Sequence, residues 1–98
     1  MTPTQRERYT YLRGWERVFA ADAERGIAIL STLRDGAIDP VIRIRAGATL
    51  VHAYNLSRRY REAFEQLNDM LDALPQVDDA EARAQAMSVT AQLYAQTG

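Results

Sequence analysis

Apolar residues recur along this chain at intervals of three and four, the spacing that gives a helix one buried face. Tyr9, Leu12, Trp15 and Phe19 form the first series. Thr4 and Glu7 precede it, three residues apart as in a capping box, so a helix is expected over about 5–20. Asp22 is placed to cap a second helix carrying Ile27, Leu30 and Leu33, and Gly36 suits a left-handed residue after its end. Asp39 followed by Pro40 reads as a cap and a first-turn proline, opening a third helix over about 40–56 with Ile44, Leu50, Val51 and Tyr54. Ser57 is a hinge or cap into a fourth, with Tyr60, Ala63, Phe64, Leu67, Leu71 and Leu74, which Pro75 stops. Asp78 with Glu81 opens a fifth that runs to about Gln96. No stretch alternates apolar and polar residues as a half-buried strand would, so the predicted class is all-α. The short connections predict antiparallel neighbours.

The chain also resembles itself. Trp15 and Leu50, Phe19 and Tyr54, Ala28 and Ala63, Ile29 and Phe64, and Pro40 and Pro75 all pair at a shift of 35, while Leu33 and Leu67 pair at 34. A partial third unit pairs at 40: Leu50 with Thr90, Val51 with Ala91, Tyr54 with Tyr94. Two helices per unit at such a period predict stacked helix pairs. The units fall at about 5–40, 41–75 and a partial 78–98, giving two repeats plus one unpaired helix in a single domain. Trp15, Phe19, Leu50, Tyr54, Phe64 and Leu67 are the expected core.

The segment 44–77 resembles the tetratricopeptide repeat. Leu50, Val51 and Tyr54 stand where its first helix carries apolar, small and aromatic residues, Tyr60, Ala63, Phe64 and Leu67 match its second helix, and Pro75 matches its terminal proline. Gly47 and Val51 depart from it, since a tryptophan and a Gly or Ala are common there. In the first unit, Arg25 stands where the second-helix aromatic belongs. The resemblance implies a TPR-like antiparallel helix-pair solenoid. The stretches YLRGWERVF, RAGATLVHAYNLSRRYREAFEQLNDMLDALPQV and AQLYAQTG are further similar to the N-terminal sensory region of bacterial tetratricopeptide-containing GGDEF-type diguanylate cyclases. That similarity implies a non-catalytic sensory or interaction module within a c-di-GMP signalling protein, periplasmic if it is such a sensor and cytoplasmic otherwise. It also implies that the chain is a fragment, cut inside a third repeat.

Composition narrows the alternatives. Twelve basic residues, all arginine, face thirteen acids for a net charge of -1, without the basic excess of a nucleic-acid binder. There is no cysteine, and no apolar run reaches the length of a membrane span. Charge is unevenly spread: residues 1–61 hold eleven arginines and six acids, while residues 62–98 hold one arginine and seven acids. Such asymmetry is consistent with head-to-tail contacts, with steering of a charged partner, or with simple solvation of two faces.

Chemistry is sparse. His52 is the only histidine, with Asn55 three residues on and no carboxylate at 48, 49, 55 or 56, so it reads as a surface or groove residue. Asp69, Asp72, Asp78, Asp79 and Glu81 lack the spacing and central glycine of a calcium loop. No catalytic residue, cofactor or metal is expected. In tetratricopeptide arrays the first helix of each unit lines the groove, which selects Arg13, Arg17, Arg45, His52, Asn55, Ser88 and Gln92 as candidate ligand contacts. A row of arginines and amides suits an acidic or carboxylate-bearing peptide. Met87, Thr90, Ala91 and Tyr94 form an apolar strip on the last helix, predicting a homodimer through it. The expected function is therefore protein–protein interaction, the alternative a structural homo-oligomerisation domain.

Overall fold

The computed structural model describes residues 1–98. Helix α1 (Pro3–Phe19) starts earlier than its apolar series: Thr2 and Gln5 form the capping box, with Gln5 N donating to Thr2 Oγ1 (3.2 Å) and Thr2 N to Gln5 Oε1 (2.9 Å). The Thr4–Glu7 box is not made. Proline at the first helical position moves the start back, because it gives up only a donor that would be orphaned there. Glu7 is used elsewhere, accepting from Ile38 N (2.6 Å) and Asp39 N (3.0 Å) and so clamping the connection between α2 (Ala23–Gly36) and α3 (Pro40–Leu56) onto α1. Asp39 caps α3 as expected, accepting from Val41 N at 2.9 Å. Helix α4 (Tyr60–Ala73) ends in a single 3-10 turn, Leu74–Gln76, around Pro75. Helix α5 (Ala80–Thr97) is capped by Asp79 rather than Asp78, through Ala82 N at 2.9 Å. There is no strand.

Two further capping expectations are corrected. Gly36 lies inside α2 without left-handed backbone, and Asp22 precedes α2 without a side-chain cap bond. The left-handed residues are Ala21 (φ 62°) and Arg58 (φ 58°), which turn the chain between α1 and α2 and between α3 and α4.

These turns reveal the true register of the repeat. Helices α1 and α3 are both 17 residues long, α2 and α4 both 14, and their starts shift together by 37, Pro3 to Pro40 and Ala23 to Tyr60. Ala21 and Arg58 obey the same shift. At 37, buried Gly26 aligns with buried Ala63 and buried Leu30 with buried Leu67; at 35, exposed Ala28 would align with buried Ala63. Residues whose side chains match are thus not always those whose environments match.

Helices α1, α3 and α5 lie side by side, with α2 packed on α1 and α3, and α4 on α3 and α5. The central α3 therefore faces two cores. Leu50, Ala46 and Ala53 pack with Tyr11, Val18, Ile27, Leu30 and Leu33. Ile44, Ala48 and Val51 pack with Ala63, Leu67, Met70 and Leu93. Burial on both sides explains why α3 is apolar nearly all round. Of the expected core, Leu50 and Leu67 are fully buried, and Tyr54 and Phe64 half-buried. Trp15 and Phe19 are not core residues: they remain 41% and 52% exposed, because α1 turns Tyr11, Gly14 and Val18 inward instead.

The α1–α2 pair approaches closely at two glycines. A methyl group on Gly26 would lie 2.6 Å from Val18 Cγ2 and 2.9 Å from the Gly14 carbonyl oxygen, and one on Gly14 would lie 2.6 Å from Leu30 Cδ2. A methyl on Gly36 would meet nothing. Gly36→Ala should therefore raise stability by about 0.4–1 kcal/mol. Gly26→Ala should lower it by about 1–3 kcal/mol despite alanine's better helix propensity, as overpacking costs more than propensity returns. Urea denaturation of both variants checks the pair.

Glu7 supplies a pH dependence. The two amide donors from Ile38 and Asp39 hold its carboxyl below the usual glutamate range. A depressed folded pKa stabilises above the unfolded value, and that stabilisation is lost as pH falls through the folded one. Glu7→Gln should be less stable than the parent at neutral pH, with the gap closing in acid. A gap that stays constant from neutral pH to pH about 3 would show that the charge on Glu7 is irrelevant.

Candidate functional site

Each helix of the α1–α3–α5 layer sets four side chains along the same side at helical spacing, all exposed or half-buried except Thr49 and Val89. The 37- and 40-residue shifts align them as rungs: Arg8, Arg45 and Gln85; Leu12, Thr49 and Val89; Trp15, His52 and Gln92; Phe19, Leu56 and Gln96. The face is thus the same surface written three times, with a different character in each copy: α1 is aromatic, α3 mixed and α5 rich in amides.

A polar network binds the three helices beneath this face. Thr49 Oγ1 donates to the Arg45 carbonyl at 3.0 Å. With that proton committed, the 3.0 Å contact between the Tyr11 and Thr49 hydroxyls has Tyr11 as donor. Gln85 Nε2 then donates to both hydroxyl oxygens, at 3.0 Å to Tyr11 and 3.1 Å to Thr49. Gln85 Oε1 accepts from Arg45 Nε at 3.1 Å. The Arg45 guanidinium also lies 5.1 Å from the centre of the Tyr11 ring and 3.8 Å from Glu81. Tyr11 and Thr49 are both buried, so the hydroxyls require these partners.

Above the network runs an open trough. Trp15 and Phe19 form one wall, their ring centres 4.4 Å apart. Phe19 stacks on His52, at 5.0 Å and 20° between planes. This aromatic row, with Gln85, Val89 and Gln92 opposite, encloses about 270 Å³. A second depression of about 430 Å³ shares His52 and Gln92 and continues past Asn55, Leu56, Ala95 and Gln96. Asn55 Oδ1 is buried there without a hydrogen-bond donor. The helix N-termini end of the layer holds a third depression of about 390 Å³, where Arg8 and Arg45 stand among Asp39, Asp79 and Glu81.

Of the residues selected from the sequence, His52, Asn55 and Gln92 come together in the trough. Arg45 is in the neighbouring depression and already engaged. Arg13 and Arg17 share a separate hollow with Glu16 and Ala20; Arg13 lies 6.0 Å from the Tyr9 ring and Arg17 3.9 Å from Asp22. Ser88 is exposed, with Gln92 Nε2 at 3.4 Å from its hydroxyl. The three arginines therefore do not form one row. Sequence reasoning passed over Trp15 and Phe19 as trough residues, and Gln85, Tyr11 and Thr49 as its support. The rung at 15, 52 and 92 becomes visible only at the 37-residue shift.

Comparison with protein-family models, with curated proteins and with solved structures returns no match. No three His, Asp or Glu side chains converge as metal ligands, and no helix is long and apolar enough to cross a membrane.

The network predicts a specific loss. Tyr11→Phe removes one donor and one acceptor while keeping the ring, and should destabilise the fold by about 1 kcal/mol. Denaturation by urea measures it, and a variant as stable as the parent would mean that the hydroxyl does not tie α1 to α5.

Proposed function

We propose that this protein is a peptide-binding interaction module, with a TPR-like arrangement of helix pairs, and that the aromatic trough across α1, α3 and α5 receives the ligand. One observation carries the reading: Trp15 and Phe19 stay exposed side by side in a trough whose opposite wall is formed by Gln85, Val89 and Gln92. Exposed aromatics are costly on a surface without a partner, and they are the residue class that dominates binding energy in recognition sites. Gln92, Asn55 and Gln96 offer amide donors and acceptors to an extended backbone, while Gln85, engaged by Tyr11, Thr49 and Arg45, supports the trough from beneath. The ligand is then an extended segment anchored by an apolar or aromatic side chain. Arg45 serves this site by holding Gln85, not by capturing a carboxylate. The module's placement within a signalling protein is part of this proposal and rests only on the resemblance of the three sequence stretches named above.

Trp15 is the sole tryptophan, so its fluorescence reports on the trough directly. Peptides selected from a random displayed library should shift that emission on binding. Phe19→Ala should weaken them by about thirtyfold, the scale of a binding hot spot at about 2 kcal/mol. Arg13→Gln should leave affinity unchanged. A selected peptide that binds independently of Phe19 but requires Arg13 would move the site to the arginines and restore a carboxylate ligand.

A further inference from the structure

The outward face of α5 is apolar and uncovered. Met87 and Tyr94 are 59% and 57% exposed, with Ala84, Ser88 and Ala91 exposed between and beside them. The internal repeat shows what this face is. At the 40-residue shift, Ala84, Met87, Ser88, Ala91 and Tyr94 take the positions of Ile44, Gly47, Ala48, Val51 and Tyr54 on α3. In α3, Ile44, Ala48 and Val51 share a core with Ala63, Leu67 and Met70 of α4, and Gly47 lies against Gln66 and Met70. The face on α5 thus corresponds to a helix-packing surface, and in this structure no helix lies on it. Phe64 holds the Tyr94 ring from one side, edge to face at 5.7 Å, so that side chain is already positioned.

We propose that a second copy of this chain covers the face, through a two-fold contact in which the two α5 helices run antiparallel about an axis at the level of Val89. The order of large and small residues points to this occupant. An antiparallel pairing centred on position 89 sets Tyr94 of one copy against Ala84 of the other, and Met87 against Ala91. Each large side chain meets a small one, and the symmetry makes each match twice. Charge selects the direction. Asp78, Asp79 and Glu81 cluster at the N-terminal end of α5, while its last turns carry Gln92, Gln96 and Thr97 without charge. A parallel pair would stack the acids of one copy on those of the other; the antiparallel pair sets them against the neutral end. The proposal is independent of the peptide trough, which lies on another face of α5.

Light scattering coupled to size exclusion, over about 10–500 µM to span the range of modest interfaces, tests association directly. The parent should shift from monomer to dimer with concentration. Tyr94→Glu and Ala91→Glu should remain monomeric across that range with unchanged far-UV circular dichroism, while Trp15→Ala should dimerise like the parent. The chain has no cysteine, so the register can be read by oxidation. Ala84→Cys mixed with Tyr94→Cys should give a cross-linked heterodimer, and Ala84→Cys alone should give none. A parent that is monomeric throughout overturns the proposal. So does a dimer insensitive to both glutamate variants, or one that Trp15→Ala dissolves, which would make the trough the interface. Self-cross-linking of Ala84→Cys overturns the antiparallel register.

Discussion

The closeness of α1 to α2 is the constraint from which the rest of the arrangement follows. At Gly26 the two backbones approach until no side chain fits between them, and Gly14 makes the matching space for Leu30. Once this contact is made, the inward stripe of α1 is fixed as Tyr11, Gly14 and Val18. The larger residues one position further round, Leu12, Trp15 and Phe19, are thereby left facing out. The aromatic wall of the trough is thus a by-product of packing with the smallest residues, because bulk that finds no place between the helices is displayed on the open side of the layer.

Helix α3 is the second fixed element of the fold. It separates two cores and contributes to both, so its position is set from two directions. Apart from Arg43, which donates to the Ala37 carbonyl near the helix start, its polar residues lie on the narrow remaining face, where Arg45, Thr49 and His52 meet the groups of α1 and α5. Thr49 is buried, and its hydroxyl partners belong to three different helices. The open face that bears the trough is in this way supported by the most constrained element of the fold.

Much of the fold was legible in the sequence because helix punctuation is local. Asp39–Pro40 announces α3, and the apolar spacing announces all five helices. What the sequence concealed were choices between local candidates: Thr2 over Thr4 and Asp79 over Asp78. In each, two residues of suitable chemistry stand within reach, and tertiary contacts select one. Glu7 illustrates this, since its reach to the Ile38 and Asp39 amides takes it away from its own helix start. The repeat register was obscured differently. Matching Trp15 with Leu50 respects side-chain type, whereas the structure pairs Trp15 with His52, which shares its place but not its chemistry. His52, Asn55 and Gln92 were legible as trough residues because polarity between apolar positions marks a first helix's open side; Trp15 and Phe19 were not, because an aromatic series at helical spacing is the ordinary mark of a core.

The two left-handed residues in the tight turns carry a consequence for how the molecule assembles. Alanine and arginine gain nothing locally from positive φ, and adopting it costs about 1 kcal/mol each. Neither turn is therefore a nucleus that bends the chain and waits for its helices to dock. The bend is tolerated because Gly14, Gly26 and Leu30 on one side, and Val51, Ala63 and Leu67 on the other, already touch. Turn closure and helix packing become a single event in each pair, and since α3 belongs to both cores, the two events are coupled through it. A chain of this design gathers its cooperativity from its strained corners as well as from its interior.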